Sequence, residues 1–258
     1  MRLRRASAGG VLCALLLLSS GCGLLGAAGG TTLADSLSEL MPHGDRDHFV
    51  YIWQKVSDGQ RLAEGIQVEH VQSSRESDVF EIVLSEDGVP SARLRLRDDG
   101  QQIALLDEDD LEQQIRLSFQ PGLTQFEIPL VASEREMRST AFVTSLTQDA
   151  RITSVDVSQT IRLRPARGIE STLGNYPRGV GVETQRILHW PWGDAAYATN
   201  AMVVPGLGEI RSEASTEEGV VMRRELACAI IGGHSIGDCS SVAAKIRELR
   251  DARSSHVR

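Results

Sequence analysis

The residues best placed to do chemistry are a serine, two pairs of histidines and aspartates, and two late cysteines. Ser235 stands in Gly233-His234-Ser235-Ile236-Gly237, a G-x-S-x-G pattern. It follows the apolar run Leu226 to Ile231, and the spacing predicts a helix from Ser240 or Ser241. A serine on a sharp strand-to-helix turn can attack an acyl carbonyl, with the following N–H stabilising the oxyanion. Here that N–H belongs to Ile236. Cys228 and Cys239 flank the same segment. Two thiols in an oxidising compartment pair, and a loop this short contributes roughly 2–3 kcal/mol in the chain-entropy model. His43, Asp45, Asp47 and His48 form the second cluster. Imidazole with carboxylate suits zinc or another divalent ion. Their spacing matches no metalloprotease helix, and Pro42 and Gly44 prevent a regular helical face. A polar turn before the first strand explains the cluster equally well, so no metal or other cofactor is assigned.

The Ser235 segment resembles the nucleophile elbow of the α/β-hydrolases, which implies a serine esterase. Three features weigh against it. In that family the acid and the histidine follow the nucleophile, and here only the stretch from Ile236 to Arg258 follows, with Asp238, Asp251 and His256. The upstream chain alternates at a period of two and lacks the strand–helix alternation of that fold. The elbow and the disulfide also exclude one another. In an elbow, Cys228 lies seven residues back along a strand, roughly 20 Å from Ser235. Cys239 lies about 6 Å down the helix, and the remaining gap exceeds the ~7 Å Cα limit for a disulfide. The disulfide, with no catalytic residue assigned, is the preferred reading.

The first 22 residues carry an address. Arg2, Arg4 and Arg5 precede an apolar stretch from Val11 to Leu18, and small residues lead to Cys22. This is a positive n-region, a short h-region and a cleavage zone. The apolar stretch is too short to span a ~30 Å hydrocarbon core. Leu18-Ser19-Ser20-Gly21-Cys22 resembles a bacterial lipobox, with Ser19 departing from the commonest form. The resemblance implies a lipoprotein: residues 1–21 removed as signal peptide, diacylglyceryl on the Cys22 thiol, and acylation (palmitate or a similar chain) of the new amino terminus. Several acyl chains would hold the chain firmly on a membrane. Gly23 stands where an inner-membrane retention signal would place Asp. By resemblance to lipoprotein sorting, the protein is expected on the outer membrane, facing the periplasm. Arg4-Arg5 lacks the setting of a twin-arginine signal.

Composition bounds the function further. The 258-residue chain has a formal charge of −8, and the leader holds only arginines among its charged residues, so the mature chain is more acidic still. Acidity and the lack of a basic, aromatic-interleaved stripe argue against nucleic-acid partners. Aromatic residues make up only 4%, which argues against a large aromatic-lined pocket.

Residues 22–32 read as a small-residue tether and 33–258 as a β-rich periplasmic domain, with a sub-division considered near 168–181. Thr32 is expected to cap a helix bearing Leu33, Leu37, Leu40 and Met41. From Phe49 the period becomes two, and Asp58-Gly59, Asp87-Gly88 and Asp99-Gly100 mark hairpin turns. Leu94 and Leu96 alternate with Arg93, Arg95 and Arg97, giving one buried and one wet face. The acidic run Asp107-Glu108-Asp109-Asp110 reads as a solvated turn. Pro121-Gly122 is expected to separate strands 114–119 and 125–131, with further strands at 152–157 and 159–164. Residues 168–181 are expected to form a loop. Trp190 and Trp192 are expected to plug one end of the sheet, or to contact a partner or a lipid interface. A last helix carries Val242, Ile246 and Leu249.

The fold class is therefore mainly β: an antiparallel meander curled into an open barrel or a two-sheet sandwich, with short terminal helices. The segment Met202 to Ile210, with its Pro205-Gly206-Leu207-Gly208 turn, resembles a late hairpin of β-rich periplasmic lipoproteins in the half-barrel carrier style. That resemblance implies a non-enzymatic envelope role, sheltering a hydrophobic ligand or the segment of an envelope protein. A serine esterase using Ser235, or an inert structural component, are the alternatives.

Overall fold

The computed structural model describes residues 32–58, 60–148, 150–216, 220–242 and 244. The signal peptide, Cys22, most of the tether, and the helical positions Ile246 and Leu249 lie outside the described residues. Thirteen strands follow in chain order: β1 His48–Ser57, β2 Gln60–Ser73, β3 Val79–Glu86, β4 Val89–Asp98, β5 Gln102–Asp110, β6 Ile115–Glu127, β7 Ser133–Ser145, β8 Ala150–Ser171, β9 Gly174–Trp190, β10 Gly193–Val204, β11 Gly208–Thr216, β12 Val220–Ile231 and β13 His234–Ile236. Each pairs antiparallel with its sequence neighbour, which is the expected meander. β1 also pairs with β12, from His48 opposite Ile230 to Ser57 opposite Val220. The sheet thus closes into a barrel of β1 to β12, and β13 is an added hairpin strand. Closure removes the exposed strand edges that an open sheet must protect.

The barrel is apolar inside and charged outside. On β4, Ala92, Leu94 and Leu96 point inward and are buried. Outward, Arg93, Arg95 and Arg97 pair with Glu81, Asp107 and Asp78 of adjacent segments. A transmembrane barrel has the opposite polarity, an apolar outer band around a polar lumen. Among the described residues no helix is long and apolar enough to cross a membrane.

Two ends can be distinguished. The N-terminal segment enters at one, which we call the plug end. Thr32 bridges to Val131 and the Leu33 N–H donates to the Leu130 carbonyl. Leu33, Leu37, Leu40 and Met41 then insert among the core side chains. The expected helix is a single turn, α1 Leu37–Leu40, and its N-cap is Ser36, not Thr32. Thr32 is committed to the bridge instead. The far end carries the β1–β2, β3–β4, β5–β6, β7–β8 and β9–β10 turns. There Asp87 and Gly88 both take positive φ, as expected of a tight Asp-Gly hairpin turn.

Three expectations are corrected. The acidic run is the last part of β5, with Asp107 and Asp109 outward against Arg95 and Arg116, Glu108 and Asp110 inward, and all but Asp107 buried. Pro121-Gly122 does not separate two strands. It lies inside β6, where residues 119–122 bulge opposite Leu106 as the register shifts between Leu105 and Asp107. Residues 168–181 are not a loop but the outer half of the β8–β9 hairpin, paired from Ile169↔Tyr176 onward. This arm folds back over the sheet: the Thr172 N–H donates to Glu225 and its hydroxyl to the Leu226 carbonyl. Gly179 permits the approach, since a Cβ there would lie 2.6 Å from the Val203 carbonyl oxygen.

Candidate functional site

The interior beneath the plug is an enclosed chamber, smaller than the cleft of about 690 Å³ lined by Gln54, Thr172, Arg211, Glu213 and Arg223. Its walls come from inward positions on several strands: Phe49 and Tyr51 of β1, Ile82 of β3, Leu94 of β4, Phe126 of β6 and Val203 of β10. Leu40, Met41 and Pro42 form its lid. The void left between them is about 60 Å³, room for about two waters by liquid share. Drug-sized ligands occupy roughly 300–1,000 Å³, so with the plug in place the chamber is closed to them.

Its floor is charged. Arg224 of β12 is 8% exposed and pairs with Glu69 of β2 and with Glu209 of β11, the latter at 2.7 Å. Gln67 accepts a third bond at 2.6 Å, and the guanidinium lies 4.4 Å from the centroid of the Tyr51 ring. Burial raises the Glu69 carboxyl above its ordinary range, with Arg224 acting in the opposite direction. Burial alone would lower Arg224, but Glu209 and Glu69 outweigh it and hold the guanidinium above its ordinary value. A second buried pair joins Arg186 of β9 to Glu108 of β5 at 3.3 Å, with Gln159 of β8 accepting from the Arg186 Nε. Buried ions need partners of this kind, because an unpaired charge is costly away from water.

Of these five ionic residues the sequence singles out only Glu108, and there as part of an acidic run read as a solvated turn. The signal available was parity, a charged residue at an inward position of an alternating strand. Around Arg224 that signal fails, because β12 carries a bulge: Val50 pairs with Cys228 but Tyr51 with Leu226. Ala227 is extra, so inward positions on either side of it do not share one parity.

The structure separates the residues singled out earlier. Ser235 lies on β13 opposite Ile230, exposed, in a hairpin turned by Gly232 and Gly233. It is on a strand, not on the strand-to-helix turn an elbow requires. The hairpin also reverses the chain, so that Gly237 lies against Cys228. Cys239 is thereby brought to a Cα–Cα distance of 5.4 Å from Cys228, and the two are joined as a disulfide. A helix begins at Cys239, and Asp238 accepts from the Ser240 and Ser241 N–H groups. The cap is Asp238 rather than either serine.

The His43 cluster is likewise dispersed. His43 stacks on Phe80 and pairs with Asp98 at 3.0 Å. Asp45 accepts from the Ser73 N–H. Asp47 is buried and accepts from Gly44 and Gly232 N–H groups, tying the entry turn to the β12–β13 turn. His48 faces His70, and its pKa is lowered by burial and by that neighbour. Among the described residues no three His, Cys, Asp or Glu side chains are placed to hold a metal ion. Trp190 is half-buried against the core, whereas Trp192 stacks on it at 5.2 Å and stays 73% exposed.

No protein-family model matches the chain, and no curated protein matches it. It is similar to two crystal structures. One is a candidate lipoprotein from Parabacteroides distasonis ATCC 8503, at 10% identity and a TM-score of 0.46, covering 72% of this chain and 95% of that chain. The other is a candidate exported protein with YmcC-like fold from Bacteroides fragilis NCTC 9343, at 10% identity and a TM-score of 0.45, with the same coverage.

Proposed function

We propose that this is a lipid-anchored protein of the bacterial envelope with a non-enzymatic binding role. Cys22 carries the lipid, and the barrel faces the periplasm from the outer membrane. The hydrophobic ligand, or the apolar segment of a partner envelope protein, is taken up at the plug end, in the chamber between the plug and the Arg224 cluster. One observation carries this reading: the barrel's apolar interior is completed by a separate short segment, Leu33 to Met41, held by few backbone hydrogen bonds. Residues filling a core from outside the sheet can be replaced by another apolar chain of similar shape, because burial is non-directional.

The anchor is tested by intact mass of the membrane-extracted chain made in a bacterial host. A mass of residues 22–258 plus acyl chains supports it, and loss of the acyl mass in Cys22→Ser links that mass to the thiol. The binding role is tested on the same preparation by native mass spectrometry after incubation with lauric acid. A retained adduct that is lost in Leu40→Asp supports uptake at the plug end, and a chain that never carries one overturns it.

A further inference from the structure

The cleft of about 690 Å³ lies on the outer wall of the barrel, across β10, β11, β12 and β1. Its size falls within the roughly 300–1,000 Å³ of small-ligand sites. Register fixes which side chains face it. Ala201, Ser212, Arg224 and Trp53 form one row across the four strands. Ala201, Arg224 and Trp53 are buried, and the Ser212 hydroxyl accepts from Arg224, so this row faces the interior. The residues on either side of it therefore face outward. Met202, Arg211 and Glu225 stand toward the plug end, and Glu213, Arg223 and Gln54 toward the far end. The β8–β9 arm closes the plug side of the cleft. Its Thr172 N–H donates to Glu225 at 3.0 Å and its hydroxyl to the Leu226 carbonyl, where pairing of β11 with β12 ends at Arg211 opposite Glu225.

The charges of the cleft are committed, with one exception. Arg223 Nε donates to Glu213 at 2.7 Å, and Glu225 is engaged by the arm. Arg211 is exposed, and among the described residues it makes no hydrogen bond or ion pair. A guanidinium binds a carboxylate through two parallel N–H bonds, the strongest contact open to it. Met202 is directly opposite Arg211, so an apolar side chain stands beside the free cation. The Gln54 amide is likewise without a partner among the described residues.

These three side chains constrain the occupant. Arg211 calls for a carboxylate, and Met202 for an apolar group next to it. A primary amide such as Gln54 both donates and accepts, which matches the N–H and C=O of a peptide group. With strands about 4.8 Å apart and a rise of about 3.3 Å per residue, Gln54 lies roughly 12 Å diagonally from Arg211 across β12. An extended tetrapeptide spans about 13 Å. We infer that the cleft binds the carboxyl end of an extended peptide, its α-carboxylate on Arg211, its last, apolar side chain against Met202, and its preceding peptide groups crossing β12 to Gln54. This site is on the opposite face of the wall from the plug-end chamber, and it depends neither on the Cys22 anchor nor on uptake there.

Methionine methyl groups report on the two sites separately, because Met202 lines the cleft and Met41 lines the chamber. The detergent-extracted full chain, isotope-labelled at its methionine methyls, is titrated by NMR with a pool of acetylated tetrapeptides ending in leucine with a free carboxylate. A saturable shift of the Met202 resonance is expected, with Met41 unmoved. Binding is expected to weaken roughly tenfold or more in Arg211→Gln, and equally for the same pool ending in a carboxamide. Gln54→Ala is expected to weaken it roughly threefold. Arg211 is exposed and without a described partner, so Arg211→Gln should keep the parent melting temperature. The inference is overturned if no peptide moves Met202 saturably, or if the carboxamide pool or the Arg211→Gln chain binds as tightly. It is also overturned if acetate alone moves Met202 as far as the peptides do. Movement of Met41 alone would place the peptide in the plug-end chamber, refuting this site and supporting that one. A peptide shift at Met202 with no lauric acid adduct would leave this inference standing and the plug-end reading refuted.

Discussion

At the scale of single residues, two buried arginines are most sensitive to change. Arg224 serves Glu69, Glu209, Gln67 and the Tyr51 ring at once. Removing it strands two carboxylates in the interior. Arg224→Met is expected to destabilise the fold by about 3–5 kcal/mol, the usual cost of breaking a buried pair, measured by urea denaturation. A shift within error would mean that water reaches the cluster. Glu69 makes a pH prediction. Its folded-state pKa is raised, chiefly by burial, so the folded state holds its proton more tightly than the unfolded chain does. That contribution to stability is complete below the ordinary glutamate value of about 4.3 and is lost as pH rises through the raised value. Glu69→Gln has no proton to lose there. The stability of the parent relative to this variant should therefore fall with rising pH across that window. Parallel profiles would show that Glu69 is not shifted. Asp45, Asp99 and Asp238 run the other way, since hydrogen bonds hold all three below the ordinary range and their contribution is lost towards low pH.

At the scale of elements, the C-terminal hairpin and the entry turn are fastened to the barrel by small devices. The Cys228–Cys239 disulfide closes a loop of sequence separation 11. Its reduction is expected to cost about 2–3 kcal/mol, read as a lower denaturation midpoint in dithiothreitol and absent in a Cys228→Ala/Cys239→Ala chain. Asp47→Ala leaves the Gly44 and Gly232 N–H groups unbonded in a partly buried setting. About 1–3 kcal/mol is the expected cost, with faster amide exchange at both turns. Such devices mark the limit of what the sequence discloses. The Asp-Gly turns and the Leu94/Leu96 alternation gave the meander, because hairpin chemistry and pleat parity are local. The run 107–110 reads as a solvated turn because the partners of Asp107, Asp109 and Glu108, which are Arg95, Arg116 and Arg186, lie on other strands. β6 was divided in two because a proline and a glycine look the same in a bulge as in a turn. The arm formed by β8 and β9 is not legible because Gly179 serves close approach to β10, while Gly168 and Gly174 take positive φ within the hairpin itself. Closure of β1 on β12, nearly the whole domain apart in sequence, has no local signature at all.

At the scale of the whole molecule, the barrel has two unlike ends, and the chain enters through one of them. With Cys22 as the proposed anchor, tethering at the plug end would set the β9–β10 turn, with Trp190 and Trp192, away from the membrane. The acidic charge of the domain opposes close contact with anionic lipid. The plug then bears on both stability and access. Leu40 is 2% exposed and roofs the 60 Å³ void. Leu40→Ala should cost about 2–5 kcal/mol, the range for large-to-small changes in cores. It should also enlarge the void on the side walled by Phe49, Ile82, Leu94 and Phe126, away from the floor of Glu69, Glu209 and Arg224. Apolar space of that kind admits small apolar guests. Xenon or benzene is therefore expected to raise the melting temperature of Leu40→Ala and to leave the parent unchanged. If the variant gains nothing from either guest, the surrounding plug has collapsed into the space. A plug that collapses so readily would be mobile enough to yield to a ligand on its own, which amide exchange at Leu33 and Met41 would then reveal.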